Sequence, residues 1–274
     1  NDVSLVQPGF YGEYVRLNKN VSLVGANALS VVIGQGIEVI DGADVSIQGL
    51  RLNGYDDTYI AAILFLDGTA GSVYDNVIDS NTNSGILADR ASVVIAGNVV
   101  RGNGLTTAFF GIDVVNKEFP ETSAEVYHNL VDGNGQSGVV VSRFTQSRST
   151  LIRDNIIRNN GAGVTIAEAG KAEVRDNLIE HNDIALRNKD LFSDPLFVDN
   201  MVKDNNKGIL FQELSSGEAL TNIIVDNTQW GISVNDAGTR VIIRENEIQR
   251  NGSGVEIHSK GYAELYDNVI EHNS

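Results

Sequence analysis

Asp113, Lys117 and Arg143 are the residues of this chain whose chemistry and setting point most directly to catalysis. Abstracting a proton beside a carboxylate needs a base such as lysine, arginine, histidine or tyrosine. It also needs a cation to hold the substrate carboxylate and the enolate charge. Lys117 and Arg143 supply that chemistry, while Asp113, Asn116 and Glu118 carry oxygens of the kind calcium favours. Calcium is therefore the one cofactor these residues suggest; a chain with no resident cofactor is the plainer expectation. Tyr55, Phe109, Phe144 and Arg148 lie in the same sort of segment and offer planar groups that can pack on sugar rings. The competing reading of Lys117, Arg143 and Asp113 is a surface cluster of ion pairs.

These residues stand out because they interrupt a repeat. Leu151 to Ile166 reads LIRDNIIRNNGAGVTI, and the same skeleton returns from Ser72, Glu125, Leu196, Val241 and Glu264. Its first asparagine falls at Asn76, Asn98, Asn129, Asn155, Asn177, Asn200, Asn222, Asn246 and Asn268, with a second asparagine five residues after each. The steps are 22, 31, 26, 22, 23, 22, 24 and 22 residues, and the two longest carry the insertion Gly104–Ala124 and the segment Arg143–Thr150. About 22 residues is too short for two packed helices, and the apolar positions alternate with period two. The spacing predicts an all-β, single-domain right-handed parallel β-helix of roughly a dozen coils, each coil stacked ~4.8 Å from the next. Residues 1–71 form less regular N-terminal coils and residues 72–274 the regular repeats.

Stacking gives each asparagine a role. Its amide donates to one coil and accepts from the other, so the column becomes an internal ladder. Asparagine also tolerates the left-handed backbone that a coil corner needs. Three residues further on, Asp79, Arg101, Asp132, Arg158, Glu180 and Lys203 alternate in sign, as an external charge ladder would. One residue before the ladder, Asp154, Asp176 and Asp199 stack like charges. Turn capping, or neutralisation by Arg153 and Arg175, is expected there, with calcium as the functional alternative.

Composition excludes several classes. A formal net charge of −16 argues against nucleic acid or anionic lipid as partner. There are no cysteines, and the four histidines are scattered, so neither a thiolate nor a histidine metal site is expected. No apolar run reaches the ~18 residues of a membrane span. Asn1 already reads as folded sequence, so any leader is expected to lie outside this stretch.

The repeats and the opening VSLVQPGFYGEYVRLNKNVSLVGAN (Val3–Asn27) resemble the pectin-lyase-like superfamily. Its relevant members are pectin methylesterases, mannuronan C5-epimerases and NosD-like carbohydrate-associated repeats. The resemblance implies secretion to the periplasm, cell surface or medium and a polysaccharide partner. Gly54–Ile60, GYDDTYI, is similar to a pectin methylesterase motif, but that family's paired glutamines and catalytic Asp/Arg set cannot be traced. Phe110-Gly111-Ile112-Asp113 resembles the Tyr-Gly-(Ile/Phe)-Asp start of the epimerase motif. Where that family continues Pro-His-Asp or Pro-His-Glu, this chain reads Val114-Val115-Asn116, and Phe110 replaces the tyrosine. Three functions follow as expectations: a polysaccharide-binding β-helix without a traceable catalytic set, a polyuronate lyase, or a structural rod stacking head to tail through open strand edges.

Overall fold

The computed structural model describes residues 2–54, 60–105, 109–116, 122–143 and 150–274. It contains strands and turns and no helix among these residues, and the strands belong to three parallel sheets. The chain packs as two compact units, Asn1–Val139 and Val140–Ser274.

In the first unit the first sheet runs through Val21–Gly25, Asp44–Gln48, Ala70–Tyr74, Ser92–Ala96 and Ala124–Tyr127. The second sheet runs through Val31–Ile33, Arg51–Asn53, Val77–Asp79, Val99–Arg101 and Leu130–Asp132. The third runs through Ile37–Val39, Ala61–Phe65, Ser84–Asp89 and Phe110–Val115. The second unit repeats the scheme. Its first sheet includes Ser216–Leu220, Arg240–Arg244 and Tyr262–Tyr266. Its second includes Leu178–Glu180 and Met201–Lys203. Its third runs Ala162–Ala167, Ile184–Asn188, Lys207–Phe211, Trp230–Val234 and Ser253–Ile257. As far as Ser253–Ile257 the coils thus visit all three sheets in turn, which is the parallel β-helix expected from the repeat.

Alternation within each strand sends one residue in two to the interior, where burial of apolar surface drives the stacking. Ile47, Val73, Ile95 and Val126 fill the first unit this way; Val174, Phe197, Ala219 and Ile243 fill the second. Phe197 meets Phe211 across the second core, ring centroids 5.7 Å apart.

The ladders lie where the asparagines place them. Asn76 Nδ2 donates to Asn98 Oδ1 at 3.1 Å and Asn98 to Asn129 at 3.0 Å. In the second unit the chain Asn155, Asn177, Asn200, Asn222, Asn246, Asn268 is continuous, each Nδ2 donating to the next Oδ1 at 2.9–3.0 Å. The backbone N–H of each rung donates to that same oxygen, so one amide oxygen closes two buried donors.

One expectation about the corners is corrected. The left-handed residue is not the asparagine but the residue before it: Asp75, His128, Asp154, Asp176, Asp199, Glu245 and Asp267 have φ of 50–57°. The second corner repeats this at Ser80, Asn159, His181, Asp204 and Arg250. The asparagine must aim its amide inward, so the preceding residue takes the left-handed turn and points outward. Arg153 and Arg175 do offset the acids there, pairing with Asp154 and Asp176.

Candidate functional site

The outer side of the third sheet collects most of the chemistry. Small residues open its strands at Ala62, Gly85, Gly111, Gly163, Ala185, Gly208, Gly231 and Gly254. A Cβ on Gly231 would lie 2.7 Å from Ile248 Cγ2 and 2.8 Å from the Gly254 carbonyl oxygen, so the coil admits no side chain there. The residue just before and the residue two after this position then face outward together. In the first unit these outward residues form a satellite apolar cluster of Ala61, Leu64 and Leu87, with Leu66 and Val115 packed on it. In the second unit Ala162, Ile184 and Leu210 do the same, with half-buried Trp230 against them. The strip is recessed: Thr165 and Ser233 face outward by register yet are buried.

Asp113 lies on this strip in the first unit. It is in register with Leu87, which is in register with Leu64, so a half-buried carboxylate follows two leucines in one outward column. Its neighbours Ile112 and Val114 are fully buried in the core. Phe109, directly before the strand, is half-buried, and its backbone oxygen accepts the Gln136 N–H at 3.1 Å. Asn116 is buried and accepts the Thr122 hydroxyl at 2.8 Å. Arg143, in the second unit, has left-handed backbone (φ 68°) and places Nε 3.2 Å from Glu168 Oε2, both side chains exposed. Lys117, Tyr55, Phe144 and Arg148 lie outside the described residues.

The second unit's stretch of the strip holds further groups. Arg187 follows Thr165 in the outward column, and its Nε donates to Thr165 Oγ1 at 3.3 Å. Burial pulls the Arg187 guanidinium below its usual value, opposed by Glu213, Asp190 and Asp183. Glu213 is pushed up, first by burial and then by its hydrogen bond to Asp190. Lys207 Nζ stands 5.6 Å from the Trp230 ring centroid and 3.7 Å from Asp183 Oδ2. The strip therefore offers an indole, two cations and carboxylates on a recessed apolar floor. These are the group types that hold a sugar's C–H face and its hydroxyls.

Beside the strip, the second sheet carries the expected charge ladder. Asp79 pairs in register with Arg101, and Glu180 with Lys203, at 3.3 and 3.1 Å. Asp79 is more than a surface rung. It is buried and accepts Arg51 through two bonds of 2.9 and 2.7 Å, and Asn53 at 3.0 Å. Burial pushes its carboxyl up, but these donors outweigh burial and hold it below the ordinary aspartate value.

The fold defines the chain as a right-handed parallel β-helix protein. The family model for the right-handed β-helix region matches residues 143–274, and that of the periplasmic copper-binding protein (NosD) family matches residues 11–191, about two thirds of the chain. The chain belongs to the NosD family. Among solved structures it is similar to the A-module of mannuronan C-5 epimerase AlgE6 from Azotobacter vinelandii. The match covers 99% of this chain and 91% of that one, with 16% identity and a TM-score of 0.70. It is also similar to the catalytic unit of a GH87 α-1,3-glucanase from Streptomyces thermodiastaticus (98% of this chain, 64% of that, 14% identity, TM-score 0.67) and to the periplasmic alginate epimerase AlgG (94% and 76%, 15% identity, TM-score 0.58). At these identities the likeness is one of fold. No curated protein sequence matches the chain.

The family is described as copper-binding, and the donor set here does not fit copper. Copper sites draw on cysteine, methionine and histidine; this chain has no cysteine, one methionine and four histidines. His258 Nε2 sits 2.9 Å from Glu256, His272 lies 3.7 Å from Glu271, and His128 packs edge-on to Tyr127. His181 and His272 each follow a second-sheet strand, separated by the strands of three further coils. Met201 starts the strand Met201–Lys203 between Leu178 and Ile223. Among the described residues no three histidine or acidic side chains converge on a metal position, and no helix is long and apolar enough to cross a membrane.

Proposed function

We propose that this chain is an extracytoplasmic polysaccharide-binding β-helix and that the recessed outer strip of the third sheet is where the polymer lies. The observation that carries the reading is Trp230. An indole half-buried on the outside of a solenoid, with Lys207 over its ring and Leu210 beside it, offers a flat apolar platform beside polar and charged neighbours. Large aromatic platforms of this kind dominate binding energies. The named activities of the similar structures, on mannuronan, alginate and α-1,3-glucan, support a polysaccharide partner, and the NosD and AlgG descriptions support the periplasm or the cell exterior. The test is retention on a panel of neutral and uronic-acid polymers by affinity electrophoresis. Trp230→Ala is expected to weaken binding by about 1–2 kcal/mol, roughly 5- to 30-fold. A panel that is not retained at all, or retained equally by the variant, overturns the reading.

A polyuronate lyase centred on Lys117, Arg143 and Asp113 is the second reading. It is favoured by Asp113, an acid set into an otherwise leucine column of the strip. In it, Lys117 or Arg143 takes the proton beside the uronate carboxylate, the electron pair left behind forms the ring double bond, and the bond from the next ring carbon to the glycosidic oxygen breaks, that oxygen leaving protonated. Growth of ultraviolet absorbance from an unsaturated uronate product, lost in Asp113→Asn, is the expected outcome. Polyuronates left unchanged, with or without calcium, remove it.

A further inference from the structure

The first sheet of the second unit carries a separate cavity on its own outer face, of about 290 Å3. Six of its lining side chains matter: Asp194, Glu218, Arg240, Ile242, Tyr262 and Glu264. Register explains why they meet. Arg240 pairs with Tyr262, and Glu218, Ile242 and Glu264 form one column across three successive coils. Their neighbours Val241, Ala219 and Ile243 are buried, so these columns face out. Ile242 is a half-exposed apolar floor with a carboxylate on the coil to either side. Two coil spacings set the Glu218 and Glu264 backbones ~10 Å apart, a span that one pyranose ring with its hydroxyls fills.

The walls are held in place. Glu264 accepts the hydroxyls of Tyr262, at 3.3 Å, and Tyr266. Glu218 is approached by Arg244 at 3.9 Å. The Arg240 guanidinium lies 5.3 Å from the Tyr262 ring centroid. Ser216 turns its hydroxyl toward Asp194 at 3.5 Å.

We propose that this cavity is a binding site for a neutral saccharide unit, distinct from the third-sheet strip. Carboxylates accept hydrogen bonds from vicinal hydroxyls, Arg240 donates to ring or glycosidic oxygens, and Ile242 with Tyr262 takes the C–H face. Three carboxylates against the one arginine of the lining (−3 + 1) give it net negative charge, so it rejects a polyuronate, whose every residue is anionic. The inference rests on this cavity alone and holds whichever polymer the strip takes.

The test uses the full chain and short oligomers of glucose, mannose and galactose, with oligouronates of the same length as comparators, followed by titration calorimetry and ligand-observed NMR. At least one neutral oligomer is expected to bind, and oligouronates are expected not to compete with it. Tyr262→Ala and Glu218→Gln are each expected to weaken that binding about tenfold. Glu218→Gln conserves shape, so it carries the test if Tyr262→Ala unfolds. The proposal is overturned if no neutral oligomer binds, if oligouronates displace the bound neutral oligomer, or if Glu218→Gln binds like the parent. Loss on Trp230→Ala alone would place the sugar on the strip and overturn it as well.

Discussion

Replacing Asn177 by alanine removes an interior rung from the ladder Asn155–Asn268, and the cost can be worked bond by bond. The Asn177 side chain donates to Ile152 O at 3.0 Å, Arg175 O at 2.8 Å and Asn200 Oδ1 at 3.0 Å. Its oxygen accepts the backbone N–H of Asn155 at 3.0 Å and the Asn155 side chain at 2.9 Å. Alanine leaves the Asn155 N–H without that acceptor in a buried place, which costs about 1–3 kcal/mol. The Asn155 amide keeps its bond to Arg153 O, and Asn200 Oδ1 keeps the Asn177 N–H, so those losses are partial. Two or three further bonds at ~1 kcal/mol each bring the sum to about 3–6 kcal/mol. Asn268 is the internal control: it receives the same pair of bonds from Asn246 but is only half-buried, so water can replace its partners. Asn268→Ala is expected to cost ~1–2 kcal/mol. Urea unfolding followed by circular dichroism reads both, compared at unchanged slope so that the shift in midpoint reports stability. If Asn177→Ala costs no more than Asn268→Ala, the ladder is not what holds the coils, and backbone pairing with apolar packing carries them alone.

Asp79→Asn is expected to cost ~2 kcal/mol near neutral pH by breaking the buried Arg51 pair, discounted because Arg51 is itself partly in water. The native carboxyl is held low, so its contribution is complete above the unfolded pKa of ~3.9 and fades as pH falls through the lower native value. The gap between parent and variant in urea should therefore close in strong acid, and a gap independent of pH would refute the assignment. Gly208→Ala places a Cβ 2.1 Å from the Gly231 carbonyl oxygen, a backbone atom that no rotamer change can move, and is expected to cost ~2–4 kcal/mol. Gly12→Ala, which meets only the Phe10 ring edge at 3.4 Å, should be nearly neutral in the same urea unfolding. Copper added in excess and then dialysed away is expected to leave no stoichiometric metal by elemental analysis; one retained equivalent would contradict the donor-set argument.

The scaffold was legible because its signal is one-dimensional. A ladder asparagine must recur once per coil, so its spacing alone orders the strands, and the register read from it is the observed one: Asp79 beside Arg101, Arg158 beside Glu180, Glu180 beside Lys203. The left-handed corner was assigned one residue late because asparagine's backbone tolerance is a property of the free residue. In the coil, the inward amide claims that asparagine and passes the turn to its predecessor. The candidate sites were harder to read for a different reason. The breaks in the repeat, 104–124 and 143–150, are where loops leave the coil, yet Trp230 and Lys207 occupy ordinary repeat positions. The first-sheet cavity shows most clearly what was within reach. Asp194, Ser216, Arg240 and Tyr262 each stand six residues before a ladder asparagine, and Glu218, Ile242 and Glu264 each stand four before. Those two columns follow from the same register that gave the charge ladder. What the sequence withholds is which outward columns are recessed, since that depends on how each coil bends at its glycine. On a solenoid, then, breaks in the repeat are a poor sole guide to function: a site can be composed in register, one side chain per coil.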